Sequence, residues 1–188
     1  LNTLVIEIMG RYSNIILVDE HGDIVDSVKR VDQEMSSARL VLPGVAYERP
    51  PAQNKISLLE EGSMEKAVAL IQAGSDTLLS KALLNCLQGL SPIVCREIQA
   101  RVGRGDELRV SQMTEQHWER LAFFFKRLRE WILIDSQPVM VSNLEKKPID
   151  FSFLEIIQYG LTATTRVFHS FSEMLDAFYA ERDSADRI

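Results

Sequence analysis

One stretch near the amino terminus constrains this chain more than any other. Residues 4–30 read LVIEIMGRYSNIILVDEHGDIVDSVKR, in which Val5, Glu7 and Met9 alternate with Leu4, Ile6 and Ile8. A period of two sends successive side chains to opposite faces of a strand, a pattern that suits no helix. Residues 10–13 interrupt the run, residues 14–19 (NIILVD) resume it, and Glu20-His21-Gly22-Asp23 signals a tight turn before a third run at 24–30. Connections this short join antiparallel neighbours. The reading is a meander with strands near 4–9, 14–19 and 24–30.

Residues 31–56 hold neither period for long and contain Pro43, Pro50 and Pro51, with Gly44 beside the first. Pro-Pro favours an extended path. Leu40, Val41, Leu42 and Tyr47 offer side chains to bury, so the expectation is an ordered strap laid across the sheet, with a disordered linker as the alternative. Residues 63–73 (SMEKAVALIQA) read as a helix with Ser63 as N-cap and Gly74 past its end. Residues 78–87 are helical, with Leu79, Leu83, Leu84 and Leu87 on one face. Gln88-Gly89-Leu90-Ser91 breaks the pattern, and residues 92–102 resume it with Pro92 first and Gly103 after the end. The outline is a helix-hairpin-helix: Gly89 permits the sharp turn, and a helix starting there points free N–H groups outward, a geometry that can hold a phosphate. A plain αα-hairpin is built the same way. Ser91 stands where the nucleic-acid-binding version usually has a second glycine.

Thr114 is placed to cap a helix running to about Trp131. Trp118, Leu121, Phe125 and Leu128 form its apolar stripe, extended by Phe124. Arg120, Lys126, Arg127 and Arg129 share the helix with Glu115, Glu119 and Glu130, giving either a solvated charged back or a basic face for RNA phosphates. Residues 138–143 and 151–159 read as a strand hairpin returning to the first sheet, and Ser170-x-x-Glu173 is a capping box opening a last helix. The predicted fold class is α+β: one antiparallel β-sheet system with residues 63–131 inserted as a mostly helical lobe.

No catalytic constellation emerges. His21, His117 and His169 are scattered without ligand spacing, and Gly103-x-Gly105 lacks both the preceding strand and the following Lys-Ser/Thr of a phosphate-binding loop. Asp19, Asp23 and Asp26 read as solvated turn carboxylates. Cys86 and Cys95 fall on facing helices, either as buried free thiols or as a disulfide or redox pair. No apolar run approaches the ~20 residues of a membrane span. The formal charge of −6 argues against nucleic-acid binding by bulk potential and leaves room for a local basic face. The chain opens on Leu1 inside a strand pattern, so the expectation is a piece of a longer protein.

EIMGRYSNIILVD, then Leu42-Pro43-Gly44, then Tyr47-x-x-Pro50-Pro51-x-x-x-Lys55, LLNCLQGLSPIVCREI and FSEMLDAFY follow one another in order. With these blocks the chain resembles the NFACT-N domain of the RqcH / fibronectin-binding protein A family, relatives of eukaryotic NEMF. The resemblance covers essentially every residue but only the second part of that domain; an Asp-Arg pair important to tRNA handling in the family precedes LVIEIMGR and has no counterpart here. It implies part of a glycosylase-like β-sandwich with a helix-hairpin-helix insert. Residues 1–60 and 132–168 would form the sheet lobe, 61–131 the helical lobe, and 169–188 a helix leading towards a coiled coil. It implies a cytoplasmic, non-enzymatic factor without cofactor that binds the obstructed large ribosomal subunit and tRNA, and promotes alanine tailing of stalled nascent chains. Candidate RNA contacts are Arg11, Asn14, Gly89, Leu90, Ser91, Arg96, Arg101 and Arg104. Arg11 and Asn14 could instead brace the strap. Arg96 and Arg101 fall about 140° apart around a helix, so one face cannot hold both tightly. The family's older name implies a different partner, fibronectin, and a surface adhesin. A glycosylase-like DNA enzyme would usually carry a four-cysteine zinc ribbon, which two cysteines cannot supply.

Overall fold

In the computed structural model, which describes residues 1–185, the opening alternation forms β1 (Thr3–Glu7), β2 (Asn14–Val18) and β3 (Ile24–Ser27), an antiparallel sheet of order β1-β2-β3. The chain divides into two units, residues 1–53 and 54 onward. In the first unit the register pairs Leu4 with Leu17, Ile6 with Ile15 and Glu7 with Asn14. Ile16 and Val18 therefore share one face, where they pack with Ile24 and Val41 as the unit's core. Val41 comes from the strap, which is ordered. Val31 and Val41 exchange backbone hydrogen bonds of 3.0 and 2.8 Å, and the N–H groups of Gly44 and Ile24 donate to Ile24 and Val45 at 2.7 and 2.8 Å. The strap thus continues the ladder past β3.

In the second unit, α1 (Ser63–Ala73), α2 (Leu79–Cys86), α3 (Pro92–Gly103) and α4 (Glu115–Leu133) share one core. Leu121, Phe125 and Leu128 of α4 are fully buried, as their spacing requires, beside Leu79, Leu83, Ile93 and Ile98. Two caps differ from expectation. Gly62, left-handed at φ +68°, is the N-cap of α1, while Ser63 is its first residue and leaves a buried, unpartnered hydroxyl. Gly103 is the last residue of α3, and Arg104 takes the left-handed cap at φ 55°. Thr114 caps α4 as expected, but its partner is His117, whose Nδ1 accepts the Thr114 N–H at 3.0 Å.

The remaining strands correct the one-sheet expectation. β4 (Val139–Asn143) lies between β5 (Pro148–Ser152) and β6 (Ala163–Val167), a second three-stranded antiparallel sheet of order β5-β4-β6. Both edges of β4 are taken by its own neighbours, so among the described residues no ladder joins it to β1–β3. β4 is buried on both faces. Met140 packs with Met174 and Phe178 of α5 (Phe171–Ala185), while Val141 enters the helical core. The strand expected at 151–159 is also corrected. β5 ends at Ser152 because Leu154 and Ile156 drop into the helical core and the N–H groups of Ile157 and Gln158 turn to the carboxylate of Glu97 instead of a strand. The Ser170 hydroxyl accepts the Glu173 N–H at 3.1 Å at the start of α5, and the last three residues of the expected helix lie outside the described residues. No helix among the described residues is long and apolar enough to cross a membrane.

Candidate nucleic-acid interface

α2 and α3 form a helical hairpin whose turn depends on Gly89 at φ +77°, a conformation that L side chains rarely adopt. Gly89 and Ser91 are exposed, and Leu90 is half-buried against the core. The residues that follow Pro92 correct one expectation. Ile93, Val94 and Cys95 are each 1% exposed, so the first turn of α3 faces the core and not solvent. The groups a ligand could reach belong to the turn itself. Among the described residues, Gly89 and Leu90 donate no N–H to another part of the chain.

The end of the Tyr47-x-x-Pro50-Pro51-x-x-x-Lys55 block is fastened to this turn. Ile56 donates its N–H to Cys86 at 2.8 Å and accepts that of Gln88 at 2.8 Å, a single parallel bridge. Lys55 is thereby set beside the hairpin. Its ammonium and the Arg96 guanidinium both act on the thiol of Cys95, which burial nonetheless pushes up to about 12. Cys86 and Cys95 are free thiols, so the disulfide alternative falls.

The arginines of α3 divide by partner. Arg101 donates Nε to Glu97 at 2.7 Å and Nη2 to the Glu155 carbonyl at 3.0 Å, and its side chain is 13% exposed. Arg96 donates to Gln158 Oε1 at 3.3 Å and to the Tyr159 hydroxyl at 3.5 Å. Although offset around the helix, both reach the same 155–159 loop. Arg101 is bound into the fold by a carboxylate, whereas Arg96 meets only neutral groups. Arg104 and Lys55 have no carboxylate partner among the described residues. Arg104 lies about 18 Å along α3 from the hairpin turn.

Arg11 and Asn14 belong to the other unit. The Arg11 guanidinium lies over the Tyr12 ring, 4.7 Å from its centre, on an exposed turn. Asn14 is buried, and its amide is held within the unit: Nδ2 donates to the Lys29 carbonyl at 2.8 Å, while Oδ1 accepts the Ile15 and Lys29 N–H groups at 3.0 and 2.9 Å. It braces the chain after β3.

Glu97 was missed from the sequence. Its fully buried carboxylate accepts Arg101 on Oε1 and the N–H groups of Ile157 and Gln158 on Oε2, both at 3.0 Å. The legible signal was Glu97 one turn after Ile93 on the apolar face, with Arg101 at i+4. Among the described residues no group of His, Cys, Asp and Glu is arranged to hold a metal ion.

This architecture has solved counterparts. It resembles the fibrinogen binding protein from Staphylococcus aureus with a TM-score of 0.66 at 29% identity, covering 95% of this chain and 59% of that one. The N-terminal part of the fibronectin/fibrinogen-binding protein from Streptococcus suis matches with a TM-score of 0.59 at 26% identity, over 96% of this chain and 57% of that one. Among curated proteins, the Rqc2 homolog RqcH of Bacillus subtilis is 33% identical over 186 residues, 98% of this chain and 30% of its own length. The Streptococcus suis RqcH is 27% identical over 187 residues, and the chain spans 29% of its length. The family model described as NFACT N-terminal and middle domains matches residues 1–188, and the chain belongs to that family.

Proposed function

We propose that this chain is the RNA-facing portion of a cytoplasmic, non-enzymatic ribosome quality-control factor. Its whole protein binds the obstructed large ribosomal subunit and tRNA and promotes alanine tailing of the stalled nascent chain. The hairpin carries the reading: an exposed turn with two N–H groups not donated elsewhere and a lysine fastened beside it can receive a phosphate. Its similarity to curated proteins called Rqc2 homolog RqcH supports the same reading. The reading makes α2 and α3 a helix-hairpin-helix. It has α5 leading towards a coiled coil.

The cations without carboxylate partners are the ones to remove. In the full-length protein, Lys55→Gln, Arg96→Gln and Arg104→Gln together should lower co-sedimentation with large ribosomal subunits. They should also flatten the log–log salt dependence of tRNA binding by up to ~3 units, since each phosphate contact contributes somewhat less than one. Circular dichroism should remain unchanged. An unaltered slope in the folded variant moves the RNA surface elsewhere. Undiminished plate binding to fibronectin, with no ribosome association in the parent protein, would favour the adhesin reading that the names of the solved neighbours suggest.

A further inference from the structure

A second concavity in the same unit has a different chemistry. It is a cleft of about 820 Å³ between the second half of α4, the link to β4, residues 154–155 and β6. That volume lies within the range of small-ligand sites. Trp131 lies inside it, with the guanidinium carbons of Arg101 and Arg127 each 5.2 Å from its ring centre. Both guanidinium groups have carboxylate partners. Arg101 is held by buried Glu97, and Arg127 pairs with Glu130. Their planes are set beside the indole before any ligand arrives, and their charge is met. A further phosphate therefore gains little here, whereas a flat uncharged ring gains stacking on guanidinium and aromatic faces.

Phe123 supplies another such surface. It is 56% exposed at the cleft although α4 already buries its own apolar stripe, and it stands edge-on to Phe124 with ring centres 5.2 Å apart. Water around an exposed phenylalanine is unfavourable, and nothing in the core needs this ring. The rim adds edge-reading groups. Asp135 is exposed at the cleft and forms no ion pair among the described residues, and Gln137 stands close to it on the same link. A carboxylate and an amide beside stacking faces match the donor and acceptor edge of a nucleobase.

We infer that this cleft receives one unstacked nucleobase of single-stranded RNA. The inference rests on the RNA-facing reading for the source of the base, but it assigns base recognition to the α4 cleft and leaves phosphate contact to the hairpin. Lys55, Arg96 and Arg104 are not part of the cleft, so the two claims separate experimentally.

Trp118 and Trp131 are the only tryptophans, so Trp118→Phe leaves Trp131 as the sole fluorophore. In that background this chain is titrated with a cytidylate hexamer and with an abasic phosphodiester of equal length. The cytidylate should quench Trp131 saturably and the abasic strand should not. Phe123→Ala, at an exposed position, should retain the melting profile and weaken cytidylate binding about tenfold, as loss of one stacking partner does. Equal quenching by the abasic strand, no quenching by either, or unchanged affinity in Phe123→Ala would overturn the assignment. The Lys55, Arg96 and Arg104 triple variant separates the two readings. If it abolishes ribosome association while Phe123-dependent quenching persists, both sites stand. If the parent fails to associate with ribosomes yet keeps that quenching, the cleft stands and the ribosome reading falls.

Discussion

Each unit ties an irregular segment to regular structure with a buried glutamate and an arginine, and the two ties are built differently. In the first unit Glu7 ends β1 and meets two residues of the strap, Arg39 and Tyr47. Arg39 bonds both of its carboxylate oxygens, the Tyr47 hydroxyl donates to Oε1 at 3.0 Å, and Arg39 also donates to the Glu48 carbonyl at 2.6 Å. In the second unit Glu97 and Arg101 lie one turn apart on α3 and together hold the 155–158 loop through backbone groups. The first tie depends on side chains 32 and 40 residues away. In the second the pair itself sits on one helix, while its partner segment lies 54 to 61 residues away and contributes mainly main-chain groups, joined by the Gln158 amide and the Glu155 carboxylate. Their surroundings differ as well. Glu7 stands beside a core of four buried aliphatic residues, whereas Glu97 is set into the large helical core. A buried ion pair adds little net stability over an apolar substitute, but breaking one leaves an uncompensated charge.

The largest effect should come from the deeper tie. Glu97→Ala leaves Arg101 with only Glu155 as polar partner and the N–H groups of Ile157 and Gln158 without an acceptor, at a cost of about 3–5 kcal/mol. Denaturation monitored by tryptophan fluorescence reads this unit, since both tryptophans lie on α4. A cost below ~1 kcal/mol would mean that water replaces the carboxylate and that the tie is ornamental. Glu7→Gln should cost about 2 kcal/mol, because Arg39 keeps the Glu48 carbonyl and loses one charge-assisted partner. Amide exchange should then accelerate at Val41 and Gly44 and remain unchanged along α3. Glu7→Leu with Arg39→Met should restore most of that loss if the pair gives specificity more than stability. Exchange rising equally in both units would break the distinction between them.

The contrast also explains what could be read from the chain. Alternation located β1, β2 and β3, and helical spacing located α2, α3 and the buried stripe of α4, because each pattern records burial on one face. The ordered strap was legible from its apolar residues. β6 was not, since its residues are largely exposed and Ala-Thr-Thr-Arg-Val carries no burial signal. The 153–159 segment misled because Phe153, Leu154, Ile156 and Ile157 look like strand residues, while their backbone groups answer to a carboxylate that is distant in sequence. The hairpin and its glycine were visible. The orientation of its first helical turn, the fastening of Lys55 and the division of the arginines by partner all depend on pairs far apart in the chain.

A pH series sharpens the comparison from the thiol side. Burial raises Cys95 from its ordinary 9.0 to about 12. An acid whose folded value is raised stabilises fully below the unfolded value, and the contribution is lost as pH climbs through the folded one. Between pH 9 and about 12 the unfolded thiol ionises while the folded one does not, so stability of the second unit should fall by about 1.4 kcal/mol per pH unit from this group. Cys95→Ala should remove that slope and leave the first unit untouched. In that unit burial, and then the hydrogen bond to Glu7, raise the Tyr47 phenol, so its own alkaline loss begins above 10.0, the ordinary phenol value. Coincident slopes in the two units would show that they unfold as one.

The smallest expected effect tests a junction that uses backbone conformation in place of charge. A Cβ built at Gly89 meets nothing within 4 Å, so Gly89→Ala introduces no clash. Its whole cost is the left-handed φ of +77°, about 1 kcal/mol. Equilibrium denaturation should register that loss without a change in denaturant slope, because no additional surface is exposed. Gly89→Pro differs in kind: proline fixes φ near −65°, which the native turn cannot accept, so the hairpin must reorganise. The alanine variant is therefore the one in which ribosome association and stability can be compared on a preserved fold. A loss well above ~1 kcal/mol would show the turn packed against a neighbour, and no loss at all would show the hairpin free to relax to an ordinary turn.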